Sequence, residues 1–189
     1  LPTADEKRGI ETEGPEFETI MAFGSNTGVD DLPSVMHAND RCDELGMDTI
    51  SCGDVVSAYL AAENAFGDEK LVHDLIEKIA HREGVGDLLA EGIARCHDDL
   101  GVADWTMKGM EFAAHDGRAL AGQGLAFATS NRGADHLYGS MYVYEYPLVD
   151  TEAALPADGL DGKAERLVAS ENRNAVLDSA IACRFSRGT

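Results

Sequence analysis

Residues 67–81, Gly-Asp-Glu-Lys-Leu-Val-His-Asp-Leu-Ile-Glu-Lys-Ile-Ala-His, decide the fold class. Gly67-Asp68 supplies a capped start. Leu71, Val72, Leu75, Ile76 and Ile79 then recur at i, i+3 and i+4 with acids between them, which is one apolar stripe on a helix. Upstream, Asp30-Asp31-Leu32-Pro33 reads as a cap followed by a first-turn proline. It opens a helix through Val35, Ala38, Cys42 and Leu45 that Gly46 ends. A second helix is expected from about Val55 to Phe66. Downstream, Gly84-Val85-Gly86-Asp87 breaks the chain and restarts a helix with Leu88, Leu89, Ile93 and Cys96 on one face. Past Asp104 the texture changes, and glycines and small residues crowd positions 109–139, where they suit close backbone approach to a ligand. Tyr138 to Pro147 can be read as a short strand, and Thr151 to Gly162 as a polar loop. A last helix is expected from Lys163 to Cys183. No segment sustains a period-two alternation. The reading is all-α and multihelical, with two helical lobes over residues 1–105 and 106–189.

At 189 residues the chain can bury one substantial core or two small lobes. No apolar run reaches the ~18 residues of a membrane span, and no charged-then-apolar leader opens it, so a cytoplasmic protein is expected. It begins at Leu1 rather than Met, which hints at a piece of a longer chain. Thirty-five acidic residues against fifteen basic ones give a net charge of −20. Such a surface repels phosphates and anionic lipid, which argues against nucleic acid and membrane as partners. It also repels itself in dilute buffer. Molar salt, with a Debye length of about 3 Å, would relieve that strain, and the low Lys count points the same way, to a halophilic source.

Cys42, Cys52, Cys96 and Cys183 form no CxxC pair, which excludes a zinc knuckle or a self-contained cluster motif. Cys52 and Cys96 read as buried thiols. His37, His73, His81 and His97 fall on or near polar helical faces and are expected to be solvated. Two short elements repeat at the ends of helices: Asp43-Glu44-Leu45-Gly46-Met47-Asp48 and Asp178-Ser179-Ala180-Ile181-Ala182-Cys183. Each places an Asp five residues before another ligand-type side chain. A carboxylate accepts hydrogen bonds from paired N–H donors such as a pterin's amino-pyrimidine edge, and a thiolate is the usual iron–sulfur ligand.

Four segments come in order: Gly14-Pro15-Glu16-Phe17-Glu18-Thr19, Gly46-Met47-Asp48-Thr49-Ile50-Ser51, Ala114-His115-Asp116, and Ala126-Phe127-Ala128-Thr129-Ser130-Asn131-Arg132-Gly133. The series resembles the aldehyde ferredoxin oxidoreductase family, whose members carry GPE-aromatic-E-T, G-L-D-T-I-S, A-H-D and A-T-S-x-R-G segments in that sequence. The resemblance implies a tungsten (or molybdenum) bis-pterin cofactor held by two Asp-x-x-Gly-Leu-Asp/Cys elements. Asp43, Gly46, Met47 and Asp48 match the first, with Met47 in place of Leu. Asp178, Ala182 and Cys183 match the second more loosely, Ile181 and Ala182 standing where Gly and Leu are expected. Cys183 is implied as the last of the four thiolate ligands of a [4Fe–4S] cluster. The other three belong to a C-x-x-C-x-x-x-C segment expected upstream, with the N-terminal domain of the same chain. The resemblance further implies a catalytic glutamate, Glu18 in preference to Glu16, and a catalytic histidine, His136. His115 and Asp116 depart from the family by lacking a following Pro and read as structural support. An aldehyde substrate, ferredoxin as electron acceptor and a possible homodimer follow from the same resemblance. The piece by itself is expected to be inactive. The competing reading is a stand-alone acidic helical binding module without redox chemistry.

Overall fold

The computed structural model describes residues 2–5, 9–146 and 154–183. The all-α class holds: helices carry the architecture, and the strands among the described residues form two short antiparallel hairpins. The chain divides into two compact units, Leu1–Ala114 and His115–Thr189. Among the described residues no helix is long and apolar enough to cross a membrane.

In the first unit β1 (Pro2–Asp5) pairs with β2 (Ile10–Glu13). A short α1 (Phe17–Ile20) runs on into a single π-helical turn, Met21–Ser25. Next come α2 (Leu32–Leu45), α3 (Thr49–Ala62) and α4 (Glu69–His81). Asp31, Asp48 and Asp68 cap the three helices by accepting from the backbone N–H of Ser34 (3.0 Å), Ser51 (2.8 Å) and Leu71 (3.0 Å). Each such cap stabilises by about 1 kcal/mol. The stripe read from the sequence is buried in α4, where Val72, Leu75, Ile76 and Ile79 join Phe23, Val56, Leu60, Leu89 and Ile93 in the core.

α3 begins six residues before the expected Val55 and ends before Phe66. It is the central helix, buried around most of its girth from Cys52 to Leu60, so it shows no stripe to read. Gly53 explains its position. A Cβ there would lie 2.6 Å from the Ala22 Cβ, so only glycine lets α3 press onto the π turn. The single helix expected after Gly84 is two, α5 (Val85–Leu89) and α6 (Ile93–Leu100), parted at Gly92 with φ 82°. Residues 106–111 form β3 (Thr106–Met107) and β4 (Met110–Glu111) and pack with the first unit, although the change of texture at 105 had grouped them with the second lobe.

The second unit contains α7 (Ala121–Thr129), α8 (His136–Gly139), α9 (Tyr142–Glu145) and α10 (Lys163–Ser179). The expected strand at Tyr138–Pro147 is instead the turns α8 and α9; Pro147 lies outside the described residues. The apolar core is small, built on Ala126, Met141 and Leu167. Polar groups supply the rest. Glu145 accepts from the N–H groups of Gly122 (2.7 Å) and Gln123 (2.8 Å), so it caps α7 from a distance. Its charge is met by Lys163 Nζ at 2.5 Å, and that ammonium also donates to the Ala157 carbonyl at 3.0 Å. Both side chains are 1% exposed or less. Asn174 donates to the carbonyls of Leu137 and Tyr138, tying α10 to α8. α10 ends at Ser179, short of the expected Cys183.

Candidate cofactor-binding site

The element Asp43–Asp48 is a helix exit followed by a helix start. At the end of α2, the Gly46 N–H donates to the Asp43 carbonyl (3.2 Å) and the Met47 N–H to the Cys42 carbonyl (2.8 Å), with Gly46 at φ 72°. This is the Schellman arrangement, and its left-handed position favours glycine. The end of α10 repeats it. There the Ile181 N–H donates to the Asp178 carbonyl (3.0 Å) and the Ala182 N–H to the Leu177 carbonyl (3.0 Å), with Ile181 at φ 55°. Position for position, Asp178 stands for Asp43, Ile181 for Gly46, Ala182 for Met47 and Cys183 for Asp48. Ile181 adopts a conformation unfavourable for a β-branched residue and is 95% exposed. Asp43, Asp48, Asp178 and Cys183 are all exposed.

A cavity of about 340 Å³ opens beside the first turn. Met47, Asp48, Ser51, Gly92, Arg95 and Glu111 contribute to its lining. Glu111 ties its walls together. One carboxylate oxygen accepts from the Ser51 hydroxyl on α3 (3.0 Å), and the other from the Ile93 N–H at the start of α6 (2.9 Å). Carboxylate acceptors on a glycine-containing rim match the N–H donors of a pterin edge, so the first element fits such a group. A [4Fe–4S] cluster does not fit this chain alone. Cys42, Cys52 and Cys96 are buried in the first unit, leaving Cys183 as the exposed thiol. The Cys52 thiol is pushed well above its ordinary value by its hydrogen bond with Cys42 and by burial.

Glu18 and Glu16 are separated by burial. Glu16 is exposed at the start of α1 without capping it, whereas Glu18 is buried and accepts from the Ala114 N–H at 2.8 Å. Asp54 was not singled out by the sequence. Buried in α3, it accepts from the Asn26 side chain at 2.8 Å. Burial pushes its carboxyl up to about 8, and the charges of Glu111, Glu18 and Asp48 add to this. His136 is half-buried at the first position of α8, behind the cap that Asp135 makes to Leu137 and Tyr138. Its ring centroid lies 5.2 Å from that of His115 and 6.0 Å from that of Tyr142. His37 and His73 are not simply solvated. They meet between α2 and α4 with ring centroids 4.8 Å apart, and His73 Nε2 lies 2.8 Å from the Ser34 hydroxyl.

Known proteins match this chain over nearly its whole length. The family model described as "Aldehyde ferredoxin oxidoreductase, domains 2 & 3" matches residues 2–189. The chain belongs to this family. The "Tungsten-containing aldehyde ferredoxin oxidoreductase" of Pyrococcus furiosus is 38% identical over 98% of the chain, and that of Thermococcus kodakarensis 37% over 93%. The "Aliphatic sulfonate oxidoreductase, WOR-like subunit" of Pyrococcus furiosus is 27% identical over 94% of the chain. These alignments cover 33%, 32% and 29% of the relatives, so the chain spans about a third of their length.

Proposed function

We propose that this aldehyde ferredoxin oxidoreductase segment holds one side of a tungsto- or molybdo-bis-pterin in a longer protein that oxidises aldehydes to carboxylic acids. The observation that carries the reading is the same Schellman turn at Asp43–Asp48 and Asp178–Cys183, each offering an exposed Asp. Asp43 and Asp48 accept from one pterin, and Asp178 from the other beside Ala182. Cys183 contributes one thiolate to a [4Fe–4S] cluster whose remaining ligands lie in the part of the relatives' length that this chain does not cover. When bound, the pterin-held metal would supply the two-electron redox chemistry of the oxidation, with ferredoxin as the final acceptor.

The chain's own residues do the rest. Glu18 is the base for the attacking water. The Ala114 N–H donates to one of its oxygens and so orients the carboxyl group. His136 polarises the carbonyl oxygen or relays the proton. Glu16, exposed, serves α1 through the helix dipole. In the full-length protein, Glu18→Gln is expected to lower kcat for aldehyde oxidation with ferredoxin about 100-fold, the scale of one acid–base group. Glu16→Gln is expected to leave it near the unchanged value. Equal losses in both variants would sink the assignment.

A further inference from the structure

His115 lies in a setting that the reading of it as structural support does not explain. It is 4% exposed, and its ring stacks on Tyr142 with centroids 3.8 Å apart and planes 3° from parallel. Its Nδ1 is 2.5 Å from the Tyr146 hydroxyl. A ring nitrogen of His115 comes within 4.8 Å of one of His136, a span that a single water bridges. The support is itself fixed. The Tyr142 N–H donates to the Gln123 side chain at 3.0 Å, and Glu145, between the two tyrosines in sequence, is locked by Lys163 and the start of α7. A phenol oxygen on Nδ1 fixes the ring's direction, and the Tyr142 ring lies flat beneath it. Packing alone would need neither.

We infer that His115 is a second proton-carrying residue, which takes the proton from His136 while Tyr146 holds its tautomer. The inference rests on the reading of His136 as catalytic. Oxidation of an aldehyde by water to a carboxylic acid breaks the aldehyde C–H bond and one O–H bond of water and forms a C–O bond. Two electrons go to the oxidised cofactor and two protons must leave. In the step assigned here, an N–H bond breaks at His136 and one forms at His115 Nε2. Nδ1–H donates to the Tyr146 oxygen throughout, and the positive charge rests over the Tyr142 ring. Tyr146 and Tyr142 are positioning residues.

The test uses the full-length protein. His115→Ala is expected to lower kcat about 100-fold with KM nearly unchanged, and added imidazole to restore the rate in a concentration-dependent way. Histidine-selective 15N labelling is expected to show His115 as the Nδ1–H tautomer, and Tyr146→Phe to mix the tautomers in a folded protein. A folded His115→Ala variant with unchanged kcat, or one that imidazole does not rescue, overturns the proposal; so does a tautomer mixture in the unsubstituted protein. If that protein oxidises no aldehyde, the functional reading fails separately, and the labelling result alone decides whether Tyr146 holds the His115 tautomer.

Discussion

Ile181 and Asp54 each sit in a local setting unusual for their residue type. Ile181 occupies the left-handed slot that Gly46 fills in the equivalent turn. Such a position costs an L residue roughly 1–2 kcal/mol. Ile181→Gly is therefore expected to raise stability by about 1 kcal/mol in urea unfolding, the gain reduced by the added freedom of the unfolded chain. Lower stability in the variant would mean that the turn is not strained. Asp54 holds a proton in the folded state that the unfolded chain releases near 3.8, and it gives up that proton only near pH 8. Folded molecules thus bind one more proton between those values, and stability falls as pH rises from about 4 to about 8. Asp54→Asn keeps the acceptor for Asn26 and removes the slope. The melting temperature of the variant relative to the unsubstituted chain should climb between pH 5 and 8; a constant difference would contradict the burial argument.

At the scale of elements, what could be read in advance followed from local signals. Asp31 with Pro33, Asp68, Gly46 and the stripe of α4 were legible because caps, breakers and periodicity act over a few residues. The start of α3 was not, because Gly53 is a breaker by propensity and a packing necessity by position. The alternation of Tyr142, Tyr144 and Tyr146 resembles a strand. It is helical because Glu145 must reach the start of α7, a requirement set 22 residues upstream. Among the candidate site residues, both Asp43–Asp48 and Asp178–Cys183 stood out by their Asp spacing at helix ends, but only at Gly46 was the shared turn legible, because Ile181 carries no turn signal. Asp54, Glu111 and the His115 cluster depend on contacts distant in sequence and carry no local signature. The polar core of the second unit yields a prediction of its own. Lys163→Met leaves the Glu145 charge buried without its cation and is expected to cost about 3–5 kcal/mol. A loss within experimental error would show that the backbone N–H donors suffice.

For the whole molecule, charge sets the behaviour. The net charge of −20 is expected to make stability strongly salt-dependent. The melting temperature should rise from about 0.1 M to about 2 M KCl as the Debye length contracts from about 10 Å to under 3 Å. Equal values would remove the case for a halophilic surface. The chain covers about a third of the length of its relatives and has one exposed thiol among its described residues, so the proposed cofactor is tested in a protein of the relatives' full length. The central claim is that two equivalent turns hold two pterins. The measurement that tests it is the pterin and tungsten or molybdenum content of full-length protein carrying Asp48→Asn together with Asp178→Asn. Asn preserves the cap on α3 while removing the charge that strengthens each pterin contact. Loss of most of the bound pterin and metal from a folded variant is the predicted result. Content equal to that of the unsubstituted protein would contradict the account.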